Sequence, residues 1–263
     1  MARLVAYVAN RTDRLLDALR DERGAIGDRP SATADAWGIG FFQGGEVLHK
    51  KRPHRGGDLV SWEDIAGNVK SDCAVIHLRH ATVGDYRAEN THPFRMRQWL
   101  FAHHGTVHGF DAIREQLAST LPDFLRRNVR GTTDSELVFH TFLSFLHDRG
   151  VLDAPDVDAR VLLGALRSTV ALVDRLVSEV GAPEADLDLV VSNGRITAIV
   201  SRGAPVAFVE RDVSSDPRGP SGPGFRYVLA MANDGAPPDY RPVPRGSVLL
   251  VERDLSTRIL PLE

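Results

Sequence analysis

Six of the ten histidines fall between His77 and His108. Clustered imidazoles are the usual raw material of metal centres and of proton transfer near neutral pH. His104 and His108 stand four residues apart and could converge on a pocket. Their segment, however, reads as a strand running into a loop, so this spacing does not put both rings on one helical face. The sequence therefore predicts no metal site and no cofactor. The single cysteine, Cys73, rules out an intrachain disulfide and a cysteine-based zinc site. It stands at the start of an apolar run and reads as a small buried thiol, not a nucleophile. The remaining chemistry-bearing residues concentrate in four short segments. These are AWGIGFF at 36–42, HLRHATVG at 77–84, NTHPF at 90–94 followed by WLFAHHG at 99–105, and GTTDSE at 131–136. Each is weak alone; what they share is an order.

The elements that must position them can be read from hydrophobic periodicity. Residues 4–9 predict a first strand, and 12–22 a helix carrying Leu15, Leu16 and Leu19 on one face. Residues 24–36 are polar, contain Pro30, and predict a loop. Strands at 37–42 and 46–50 flank Gly44-Gly45, a hairpin signal. Further strands are expected at 72–80 and 98–104, and a helix at 110–125. Asp134 stands where the N-cap of the clearest helix should be, with Leu137, Val138, Phe142, Leu143 and Leu146 behind it. A second long helical pattern runs over 158–180, and Pro183 ends the helical half. Strands at 187–191 and 195–200 bracket Asn193-Gly194, a strong two-residue turn. Strands at 205–209, 227–231 and 247–251 follow, and 214–224 reads as a Pro, Gly and Ser-rich mobile loop. Strands, then two helices, then strands fit an α+β layered domain of two stacked sheets covered by helices.

Composition narrows the function classes. A formal net charge of -3 leaves no basic excess for nucleic acid or an anionic membrane. No apolar run reaches the ~18–20 residues that span a bilayer, and MARLVAYVAN has no signal-peptide pattern. The expected location is cytoplasmic. The charge runs at 21–29 and 49–55 read as solvated loop surface. Arg126-Arg127 suits the negative end of a helix dipole.

In their order and spacing the four segments resemble the class II glutamine amidotransferases, a branch of the N-terminal-nucleophile hydrolases. The likeness is greatest to the small stand-alone members, including the γ-glutamyl hydrolases of ergothioneine biosynthesis. It is strong over about residues 1–145. It is looser beyond, where the strand order and the ending VPRGSVLLVERDLSTRILPL still fit. The resemblance implies a four-layer αββα sandwich, with 1–263 as a single domain.

It also implies roles. In the family, removal of the initiator Met exposes a cysteine whose thiol attacks the glutamine side-chain amide. The cysteine's own α-amine, with a reference pKa of ~7.7–8, serves as the base. Arg79 matches the arginine that holds the substrate carboxylate, a task suited to a guanidinium fork. Thr82 and Val83 match neighbouring backbone contacts, and Asp134 the aspartate that holds the substrate ammonium. Gly105 matches the glycine of the oxyanion pair, and His103 the histidine before that pair. Trp37 and Gly38 match the structural Trp-Gly of the second strand, and His77 and His92 fall on structural positions.

Two departures matter. Ala2 stands at the nucleophile position and His104 at the oxyanion asparagine. Losing an oxyanion donor costs about 10²–10³ in rate, and losing a nucleophile on the order of 10⁶. A milder third is MANDG at 231–235, where stand-alone members carry a Ser-Glu-Pro-Leu-like segment. The reading is a protein that binds glutamine or a γ-glutamyl compound through Arg79 and Asp134 without efficient hydrolysis. Two alternatives stay open: an active amidohydrolase whose natural residue 2 is Cys, and a non-catalytic scaffold with a protein partner.

Overall fold

Every residue of β1 (Leu4–Ala9) is buried, so both faces of this strand are covered. Side chains alternate across a strand, and here the two sets join different cores. Val5 and Tyr7 pack outward with Leu15, Leu19, Trp62 and Ile65. Leu4, Ala6 and Val8 pack inward with Ala102, Val190, Ile199 and Leu249. That division sets the layered architecture.

The computed structural model describes residues 4–27, 36–53, 60–79, 87–213, 224–232 and 237–262. After β1 come α1 (Leu15–Asp21), α2 (Arg23–Ile26), β2 (Ala36–Gln43), β3 (Glu46–Pro53), α3 (Trp62–Ala66) and β4 (Cys73–Arg79). Next are β5 (Phe94–Met96), β6 (Trp99–His104), α4 (Phe110–Ser119), α5 (Asp123–Arg126), α6 (Asp134–Asp148) and α7 (Ala159–Glu179). The last part holds β7 (Asp188–Ser192), β8 (Ile196–Ser201), β9 (Val206–Val213), β10 (Phe225–Ala232), β11 (Arg241–Val243), β12 (Ser247–Glu252) and β13 (Thr257–Pro261). One sheet runs β11-β9-β10-β1-β4-β2-β3 and the other β13-β12-β8-β7-β6-β5. All neighbours are antiparallel. Helices α1–α3 cover the outer face of the first sheet. Helices α4–α7 cover the outer face of the second, through residues such as Ile113, Phe142, Leu166 and Val173. The result is an αββα sandwich, as the resemblance implied. No described helix is long and apolar enough to cross a membrane.

Several local expectations need correction. The loop expected from residue 24 begins later, because α2 continues through Ile26. The helix expected over 110–125 breaks into α4 and α5 around Pro122, which is the N-cap of α5. The charge run at 49–55 is not loop over its described part, since β3 extends to Pro53. Residues 214–223 and 233–236 lie outside the described residues. Cys73 is buried as expected, with its Sγ 3.3 Å from Ser192 Oγ between the sheets.

The run at 21–29 holds a larger surprise. Glu22 is buried and accepts bonds from Arg211 Nε (2.6 Å), Tyr240 OH (2.7 Å) and Tyr227 OH (2.8 Å). Burial pushes its carboxyl up, but the three donors outweigh burial and hold it below the ordinary value. This network ties the α1–α2 junction to β9 and β10. Replacing Glu22 with Ala leaves two buried hydroxyls and Arg211 short of an acceptor. We expect Glu22→Ala to lower the urea-unfolding free energy by about 2–4 kcal/mol. A change under about 0.5 kcal/mol would show that the network contributes nothing.

Candidate functional site

A cavity of about 400 Å³ opens at one end of the sandwich. Arg79, the buried last residue of β4, brings a guanidinium to it from one sheet. His103 and His104, which end β6, reach it from the other sheet. The first turn of α6 brings Asp134 and Ser135. Leu4 pairs with His77, so β1 also starts beside this end of β4.

The N-terminus of α6 is fixed by its own sequence. Thr133, not Asp134, is the N-cap, and its hydroxyl accepts from Glu136 N at 3.3 Å. This one-residue shift matters chemically, because it frees Asp134 from capping. Its Oδ2 accepts from Val107 N at 2.8 Å, and its Oδ1 from Ser135 N at 2.7 Å. Ser135 Oγ lies 3.1 Å from the same Oδ1. Ahead of the helix, Glu136 accepts from Arg130 N and Gly131 N, and Asn90 Oδ1 from Thr132 N. The GTTDSE segment is therefore held at nearly every residue. A carboxylate offers about four lone-pair sites; two of those on Asp134 accept backbone N–H groups, and a third faces the Ser135 hydroxyl. One remains for a cationic group in the cavity.

His103 spans the site floor. Its Nε2 lies 2.8 Å from Asp186 O, which can only accept, so Nε2 carries a proton. Its Nδ1 lies 2.9 Å from Ser135 Oγ. The Ser135 hydroxyl thus has one proton to place between His103 and Asp134. Gly105 follows with φ +139°, and a Cβ there would sit 2.0 Å from Asp186 O. Only glycine allows the chain past this carbonyl. Gly38 has a similar task, since a Cβ there would meet His92 O at 2.0 Å.

His92 is buried, and neither ring nitrogen has a hydrogen-bond partner among the described residues. Its ring packs 4.3 Å from that of His77 and 4.7 Å from that of Phe94. Burial first, then the charges of His77 and His103, push its pKa well below the ordinary range. It is an aromatic wall, not an acid or base.

Of the residues expected at a site, Arg79, His104, Gly105 and Asp134 line this one cavity. Ala2, Thr82 and Val83 lie outside the described residues, as does His80. His108 stands nearby, with Nε2 3.7 Å from Asp186 Oδ2. Asp186, Gly203 and Ala204 also line the cavity and were not expected. They arrive from the residues just before β7 and from the β8–β9 turn. Asp188 holds that turn by accepting from the backbone of Arg202, Gly203 and Ala204 at 2.7–2.9 Å. Nothing local in the sequence marks it as part of the site. Among the described residues no group of three or more His, Cys, Asp or Glu could hold a metal ion.

The family model for glutamine amidotransferases class-II matches residues 1–212, and so includes every segment that builds this cavity. The chain belongs to the class II glutamine amidotransferases. The probable glutamine amidotransferase DUG3 of Saccharomyces cerevisiae is 27% identical over 136 residues, 49% of this chain and 38% of that protein. The gamma-glutamyl-hercynylcysteine sulfoxide hydrolase of Mycobacterium tuberculosis is 36% identical over 75 residues, 28% of this chain and 32% of that protein. The chain thus spans well under half the length of these relatives. A glutamine aminotransferase class-II domain protein from Silicibacter pomeroyi has the same fold. Its structure superposes with a TM-score of 0.65 at 20% identity, covering 99% of both chains.

Within this cavity His92 makes a pH prediction. Its folded pKa is depressed below the ordinary 6.5, so stability is full above that value and declines as pH falls through it. We expect His92 to contribute a loss of up to about 1.4 kcal/mol per pH unit below about pH 6.5. Urea unfolding of the unaltered chain and of His92→Phe checks this. The variant should lose part of the slope, and identical slopes would refute the assignment.

Proposed function

We propose that this chain binds glutamine, or a compound bearing a γ-glutamyl group, and hydrolyses its amide poorly or not at all. The observation that carries the reading is the convergence of Arg79 and Asp134 on one cavity from separate elements. A guanidinium suits an α-carboxylate, and the remaining lone pair of Asp134 suits an α-ammonium. A site of this volume is within the range that small ligands occupy. The relatives named above support the substrate class. The loss of chemistry rests on the sequence, where Ala2 supplies a methyl group at the position of the family's thiol. His104 at the oxyanion position keeps a side-chain donor but changes its reach, so amide polarisation is weakened as well.

The rival reading, an active amidohydrolase, differs in one product. Calorimetric titration with L-glutamine, paired with an ammonia assay, separates the two. We expect saturable binding, weakened at least about tenfold in Arg79→Ala and in Asp134→Ala, as each removes a charge-assisted contact. We expect no ammonia above a heat-killed control. Unchanged affinity in both variants would sink the clamp, and ammonia release would reinstate the enzyme.

A further inference from the structure

A second cavity, of about 660 Å³, lies between the edge strands β3 and β5 and the side of α6. It is separate from the amidotransferase cavity. His92 lines that first cavity and Phe94 lines the second, with the two rings packed edge-on between them. One wall of the second cavity is apolar, made by Phe94, Met96 and Phe139. Phe94 and Phe139 stack with centroids 6.5 Å apart, so this wall is preformed.

The facing wall is charged and unbalanced. Lys50, Lys51, Arg95 and Arg130 line the cavity against two acids, Glu89 and Glu136. Both Glu136 oxygens already accept backbone bonds, from Arg130 N and Gly131 N. Arg95 donates to Val47 O, and Lys50 Nζ to Asp64 O at 2.7 Å. Lys51 differs. Its Nζ sits 5.0 Å from the Phe94 ring centroid, and no ion pair to a described residue is made by it. Burial pushes its amine down to about 8, with Arg95 adding to the effect and Glu136 and Glu89 opposing it. The two histidines here add little positive charge. Burial lowers His49 to about 4 and also lowers His140.

The ring face offsets only part of the cost of desolvating a cation that has no close ion pair, and an anion supplied from solution relieves the remainder. We propose that this second cavity binds a small organic carboxylate, with its charge on Lys51 and its apolar body against Phe94, Met96 and Phe139. The chemistry favours this class over inorganic phosphate. Phosphate sites use several donors or backbone nests around three oxygens, whereas here Lys50 and Arg95 already donate to backbone carbonyls and Lys51 faces a hydrocarbon wall. The proposal does not depend on what the first cavity binds.

Phenylacetate is the probe, titrated into the isotope-labelled full chain and followed by NMR. We expect saturable shifts centred on Phe94, Met96 and Phe139. Benzyl alcohol, of similar shape but neutral, should bind at least about tenfold more weakly, the lower bound for losing a charge-assisted hydrogen bond. Lys51→Met should weaken phenylacetate by a similar factor, and Lys51→Arg should restore most of it. Affinity should also fall as pH rises through about 8, where the amine loses its proton. A merely greasy cavity would show neither the charge preference nor the pH dependence. Equal binding of acid and alcohol, shifts confined to the first cavity, or competition by inorganic phosphate at matched concentration would overturn the proposal. The comparison of acid with alcohol uses the unaltered chain, so it stands even if Lys51→Met fails to fold.

Discussion

Strands covered on both faces have only their ends at which to display polar groups. This constraint governs the molecule. β1 and β4 are buried along their whole length, and β7 and β8 likewise. Charged side chains along these strands would have to be desolvated between layers, at a cost the fold cannot meet. Arg79 closes β4, His104 closes β6, and Asp134 opens α6. The cavity forms where those three ends come together, and its chemistry is the chemistry the layers could not contain.

The same pressure explains how the cavity's groups are held. Buried polar atoms that stay in a low-dielectric site must be bonded. Asp134 meets this by binding Val107 and Ser135, and in doing so fixes the loop after β6 to the helix. His103 bridges Ser135 to Asp186. Gly105 gives the backbone room to pass the same Asp186 carbonyl. A site built this way is positioned before any ligand arrives, which favours binding whether or not a nucleophile is present. The contrast between an ordered clamp and an alanine at position 2 is the basis of the proposed function.

Much of the architecture could be read from local pattern. The hairpins at Gly44-Gly45 and Asn193-Gly194 are set by turn residues, and α7 follows directly on its N-cap Asp158. The errors have physical causes. Asp134 and Thr133 are both good caps, and only the structure shows which side chain turns back on the helix. α3 has no visible periodicity over its five residues, and only its fold context brings out the reciprocal capping box of Ser61 and Asp64. The charge runs misled because a carboxylate or ammonium reads as solvent-facing until tertiary partners are known. Glu22 is held by Arg211, Tyr227 and Tyr240, all about two hundred residues away. Lys51 lies against Phe94. Arg79, His104, Gly105 and Asp134, which line the first cavity, could be picked out through family order. Asp186, Gly203 and Ala204 could not, because they reach the cavity only through sheet pairing.

The most direct test of the central claim is a crystal structure of the chain grown with L-glutamine. The account predicts one glutamine in the cavity, its α-carboxylate on Arg79 and its α-ammonium on Asp134, with the side-chain amide intact and directed toward His104 and Gly105. An empty cavity at saturating glutamine, or a glutamine bound with its ends reversed, would contradict it.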